Sequence, residues 1–173
     1  MRIRLSIAAL ALLLPAASPA QQAACGVERW NVKILRDRDT ARVDLRAVPT
    51  TVAALGALPA PAELGPANGR LPLERRTFRV RAFLAKHASE ENDGDIHLVL
   101  SDVGDRTKTM IAEIPDSACA LGSRHASRYA EARRVIDSLP GGIEVEIEGV
   151  AFFDRISTDR PAARPTGSNC IRC

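Results

Sequence analysis

Between Phe78 and Phe153 the hydrophobic period of the chain switches from two residues to a helical spacing and back to two, and this limits the fold more than any other feature. Phe78, Val80, Ala82 and Leu84 alternate with Arg79, Arg81, Phe83 and Ala85, which predicts a long, half-buried strand. The cluster Glu91-Asn92-Asp93-Gly94 then reads as a tight turn. Ile96, Leu98 and Leu100 alternate with His97, Val99 and Ser101 in a second strand. A turn over Asp102 to Lys108 leads to a third strand at Met110 to Ile114, ended by Pro115-Asp116-Ser117. From Ser123 to Leu139, the residues Tyr129, Ala132, Ile136 and Leu139 share one helical side, with Arg124, Arg128, Glu131, Arg133 and Arg134 on the wet side. Pro140-Gly141-Gly142 stops the helix, and Ile143, Val145 and Ile147 begin a fourth strand running towards Phe153. Strand, strand, strand, helix, strand is the order of the five-stranded Greek-key barrel called the OB fold, short of its last strand. After Asp154 nothing alternates, so that strand is missing from the chain as written.

The segment before Phe78 is less regular. Trp30, Val32 and Ile34 alternate with Asn31 and Lys33 and predict a strand. Arg36-Asp37-Arg38-Asp39 reads as a polar turn or a solvated charge run, and Thr51 as a hydroxyl N-cap for a short helix over Val52 to Leu55. The Pro-rich stretch from Pro59 to Pro72 reads as a loop or hinge. The expected organisation is a signal peptide over 1–20, an N-terminal strand, short helix and Pro-rich loop over 21–72, an OB-like core over 73–154, and an aberrant tail over 155–173.

The signal peptide rests on Arg2 and Arg4, on the apolar run Leu5 to Leu14, and on the small residues Ser18 and Ala20. That run is too short to span a bilayer, and no later segment is long and apolar enough. The expected location is therefore secreted or periplasmic, an oxidising environment in which four cysteines are candidate disulfide partners. Four cysteines allow three pairings. Cys170 and Cys173 have the CxxC spacing, but no helix follows to activate a thiolate. A zinc site would need two further ligands, and neither Cys25 nor Cys119 has a CxxC partner. The expected bridge is Cys25–Cys119.

Charge and composition narrow the partners. The net charge of +3 falls to +1 once Arg2 and Arg4 leave with the signal. A nucleic-acid binder usually carries a clear basic excess. The aromatic supply is Trp30, Phe78, Phe83, Tyr129, Phe152 and Phe153, which is thin for base stacking. No nucleic-acid, membrane or cofactor signal emerges, and no Walker loop, dinucleotide fingerprint or Ser-His-Asp arrangement is present.

Five stretches carry a resemblance: Glu28 to Lys33, Thr50-Thr51-Val52, Asp93 to Leu100, Thr109 to Pro115 and Gly149 to Asp154. Over roughly residues 25 to 154 the chain resembles a family of small, exported, uncharacterised bacterial proteins. In that family the phenylalanine-rich segment is followed by a stretch like His-Gly-Gln-Thr-Gly-x-Ala-Pro-Asn-Gly-Ile-Glu-Leu-His-Pro-Val. The present sequence departs from this after Asp154. Reading the tail in codons that start one base earlier lets Thr158-Asp159-Arg160 encode His-Gly-Gln, and Cys170 to Cys173 encode Leu-His-Pro-Val. A frameshift between Asp154 and Ser157 is therefore expected. It would make Cys170 and Cys173 accidental and leave one cysteine pair. As written, residues 156–173 are expected to be poorly ordered, with a sheet edge left open.

Two groups of residues are candidates for chemistry. Asp93, Asp95 and His97 form a D-x-D-x-H cluster, with His97 on the opposite strand face from Ile96 and Leu98, and Glu113 and Asp154 as neighbours that could join it. Carboxylates with an imidazole could hold a divalent metal for hydrolysis. The plainer reading makes Asp93 and Asp95 turn residues around Gly94. Arg79 and Arg81 share a strand face with Phe83 and could bind an anion, or simply face solvent. The favoured expectation is a non-enzymatic, OB-like binding or structural module. The alternative is a metal-dependent, nuclease-like hydrolase using His97, Asp95, Glu113 and Asp154.

Overall fold

The computed structural model describes residues 25, 29–59, 61–87 and 94–153, together with the backbone of 170–172. The elements in chain order are α1 (Trp30–Lys33), β1 (Asp44–Thr50), α2 (Val52–Gly56), β2 (Arg76–His87), β3 (Ile96–Asp102), β4 (Thr109–Ile114), α3 (Ala126–Asp137), β5 (Ile143–Phe152) and β6 (Cys170–Arg172). The chain is mainly β, with a mixed sheet and short helices. β2 runs antiparallel to β3 and β5, and β3 antiparallel to β4. β1 is parallel to the first half of β2, from Asp44↔Arg76 to Thr50↔Val80. β3 takes over the same edge of β2 from Ala82↔Asp102 onward.

The four strands predicted between Phe78 and Phe153 lie within a few residues of their expected bounds, because each has one buried face. Phe78, Val80, Ala82 and Leu84 of β2 share one core with Ile96, Leu98 and Leu100 of β3 and Met110, Ala112 and Ile114 of β4. α3 lays Tyr129 and Ile136 on that core. Gly94 sits at φ 80, and a Cβ there would come within 3.3 Å of the Asp116 side chain, so glycine alone makes this entry into β3 without strain. Thr51 caps α2 as expected, accepting from the Ala54 N–H at 3.0 Å.

Three expectations are corrected. Trp30 to Ile34 is not a strand, because α1 is a single helical turn. Val32, Lys33 and Ile34 are all buried, against different partners, which strict alternation on a one-sided strand does not allow. β1 escapes the pattern because it is an edge strand exposed on both faces, so its residues do not alternate. Its Pro49, which lacks an N–H, is tolerated there. The charge run at Arg36 to Asp39 is not wholly solvated. Asp37 and Asp39 are buried, and Asp37 pairs with buried Arg70 of the Pro-rich loop at 2.8 Å. The tail is also not devoid of strand. The backbone of Cys170–Arg172 lies between β4 and β5, parallel to the first and antiparallel to the second. Strand pairing uses main-chain groups, so a segment without hydrophobic alternation can fill such a slot. Residues 154–169 and 173 of the tail lie outside the described residues.

The N-terminal segment is latched to the sheet. Cys25 and Cys119 form the expected disulfide. The Trp30 Nε1–H donates to the Cys119 carbonyl at 3.1 Å. The Arg29 guanidinium grips both oxygens of Glu74, at 2.7 and 2.8 Å, and donates to the Phe153 carbonyl at 3.0 Å. Glu74 also accepts from the backbone N–H groups of Phe153 and Leu71, both at 2.9 Å. Arg70 and Glu74 thus tie down the end of the Pro-rich stretch, where the sequence alone suggests a hinge.

Candidate functional site

His97 in β3 stands directly opposite Glu113 in β4, so the two side chains leave the same face of the sheet. That face points away from Leu98 and Ala112, which lie in the core. His97 Nε2 and Glu113 Oε1 are 3.3 Å apart. Asp95 enters just before β3 and is fully buried. One donor atom from each of Asp95, His97 and Glu113 falls within 4.8 Å of the others. The fold therefore brings these three metal-ligand candidates together. The remaining two, Asp93 and Asp154, lie outside the described residues.

α1 adds a residue that periodicity assigns to the solvent side of a strand. Lys33 reaches down from the helical turn and puts Nζ 2.9 Å from Asp95 Oδ2 and 3.4 Å from Glu113 Oε2. Its neighbour Val32 packs with Phe152 and Ile111. The Trp30 ring lies 5.9 Å from the ammonium, within cation–π range. One ammonium thus meets two carboxylates, with the His97 imidazole beside Glu113. In a buried setting this pairing is what makes the carboxylates tolerable. A divalent ion bound to the same oxygens would be repelled by Lys33. The residue lies within the sequence motif Glu28 to Lys33, but only the helical turn directs it inward.

Arg79 and Arg81 lie on the outer face of β2, opposite Glu148 and Glu146 of β5. Arg79 Nε donates to Glu148 Oε1 at 2.6 Å, with Glu146 at 3.7 Å, and Arg81 pairs with Glu144. All these side chains are well exposed, so the ladder is a solvated surface of alternating charge and small energetic weight. It borders an open groove of about 490 Å³, whose other wall includes Thr50, Thr51, Asp102 and Val103. Asp102 organises that wall. Its carboxylate accepts from the Ala53 N–H at 2.8 Å and the Gly104 N–H at 2.9 Å. These bonds, the Ala53 one foremost, hold its pKa below the usual carboxylate value. The run Glu144, Glu146, Glu148 is visible in the sequence, but only strand pairing makes those glutamates the arginines' partners.

Arg133 corrects the reading of α3. The helical pattern assigns it to the wet side, yet it is buried and donates to the carbonyls of Gly94 at 2.9 Å and Ile114 at 3.1 Å. A long guanidinium side chain can curl under a helix to satisfy carbonyls at strand ends, which periodicity does not register.

No family model matches the chain, and no curated protein matches it.

Proposed function

We propose that the mature chain is an exported, OB-like binding or structural module rather than a metal enzyme. The observation that carries this reading is the contact of the Lys33 ammonium with both carboxylates of Asp95 and Glu113. The chain itself compensates the charge of its best metal-ligand cluster. Strand order supports the OB-like part. The series β2-β3-β4-β6-β5, with β5 also beside β2, β6 parallel to β4, and α3 between β4 and β5, is the order expected of a five-stranded Greek key of this kind. The Cys25–Cys119 disulfide agrees with export into an oxidising compartment. No helix among the described residues is long and apolar enough to cross a membrane.

The alternative, a metal-dependent hydrolase, is favoured by the closeness of the Asp95, His97 and Glu113 donor atoms. Thermal unfolding of the mature chain with Mn²⁺, Zn²⁺ or Ca²⁺ separates the two. The module reading expects no stabilisation by these ions. A rise in Tm that His97→Ala removes would replace it with the hydrolase. The frameshift after Asp154 is a further part of the proposal, tested by DNA sequencing across codons 150–173. A shifted frame would put the family-like His-Gly-Gln and Leu-His-Pro-Val segments in place of the present tail.

A further inference from the structure

A separate cavity of about 90 Å³ is lined by residues of α1, β5 and the start of α3. An apolar engineered cavity of ~150 Å³ holds benzene, so this space suits a body of a few carbon atoms. Val32, Leu35, Leu45, Tyr129, Val150 and Phe152 supply its apolar wall. Leu35 holds φ 55, a conformation that leucine seldom adopts, and it does so on this wall.

The charged groups on the cavity divide into two kinds. Lys33, Arg70 and Glu148 are committed, to Asp95 and Glu113, to Asp37 and to Arg79 respectively. His125 and Arg128 are not. The His125 imidazole is 9 % exposed and has no hydrogen-bond partner among the described residues. The Arg128 guanidinium is exposed, with no ion pair or side-chain hydrogen bond among the described residues. No acidic residue occupies the first turn of α3, and His125 at its N-cap makes no side-chain cap. Burial first, then the charges of Arg128 and Arg124, depress the His125 pKa.

We propose that this cavity binds a short-chain monocarboxylate, its carboxylate held by Arg128 and His125 and its alkyl chain against the apolar wall. A guanidinium fork matches a carboxylate with two parallel N–H bonds, and the imidazole supplies one more donor. The cavity lacks room for a large headgroup, and its apolar wall gives an inorganic anion nothing to contact.

The test is an NMR titration of the mature, disulfide-intact protein with propionate, with inorganic phosphate and 1-propanol as comparison probes. Propionate is expected to saturate with Kd in roughly the millimolar range, as befits a ligand of so few heavy atoms. The shifts should centre on His125 and Tyr129. Arg128→Gln, at an exposed position where folding is not at stake, should weaken binding about tenfold. Phosphate and propanol should each bind at least about tenfold more weakly than propionate, since each lacks one of the two recognition elements. No saturable shift with propionate overturns the proposal. Equal binding of phosphate, or an unchanged Kd in Arg128→Gln, overturns it as well.

Discussion

Lys33 and Asp95 are 62 residues apart in the chain and 2.9 Å apart in space, with both side chains almost completely buried. This pair, with Glu113 at 3.4 Å from the same ammonium, fastens α1 across the outer face of β3 and β4. Lys33→Met should cost about 3–5 kcal/mol, because it leaves two buried carboxylates without their cation. Urea unfolding measures this. Adding Asp95→Asn and Glu113→Gln to Lys33→Met should recover much of the loss, since the uncompensated charge is then gone. A single-variant cost below about 1 kcal/mol would mean that the cluster is solvated.

The Arg29–Glu74 pair is a second buried anchor, at the N-cap of the same helical turn. Glu74 is fully buried and accepts from Arg29, Phe153 and Leu71. Glu74→Ala should destabilise by about 3–5 kcal/mol. Arg79→Gln and Arg81→Gln, in exposed pairs, should each change stability by less than about 1 kcal/mol. Denaturation midpoints of the three variants under one condition check the contrast.

The disulfide closes a loop with a sequence separation of 94. Loop-closure entropy gives such a bridge about 4–5 kcal/mol. Cys25→Ser with Cys119→Ser should lower the unfolding free energy by that order and leave the far-UV circular dichroism of the folded chain unchanged. An unaltered midpoint would show that the ion pairs alone hold the N-terminal segment.

Stability should fall twice as the pH drops. His125 has a folded-state pKa below the usual 6.5, owing to burial and to Arg128 and Arg124, with Glu148 the acidic side chain on its cavity. The unfolded chain therefore takes up this proton at a higher pH than the folded one. The His125 contribution is complete above about pH 6.5 and is lost as the pH falls below it. Asp39 and Asp102 have depressed pKa values, through the Arg70 and Ala53 backbone N–H groups first. Their contributions are complete above about pH 4 and are lost as the pH falls towards their folded values. Unfolding free energies from pH 8 to pH 3 should show both declines, and His125→Gln should flatten only the first.

Which elements are legible in the sequence follows from which faces are buried. β2, β3, β4 and β5 each bury one face, so their alternation is a direct record of the core, and α3 is legible through Tyr129 and Ile136 in the same way. β1 buries neither face and α1 is a single turn, so neither leaves a periodic trace. For the candidate site, the D-x-D-x-H spacing already sets Asp95 and His97 close together, and the strand order suggests Glu113 as their neighbour.

The order of amino acids is enough to set the local elements and the residue types available, because hydrophobic period, caps and turns act over a few neighbouring residues. It also singles out Cys25 and Cys119 as the expected pair. What each charge meets is settled by folding alone. Lys33 reaches Asp95, Arg29 reaches Glu74 and Arg133 reaches the Gly94 carbonyl across separations of 62, 45 and 39 residues. A buried charge needs a partner at bonding distance wherever the chain can supply one. That requirement is met in space and leaves no periodic mark along the chain.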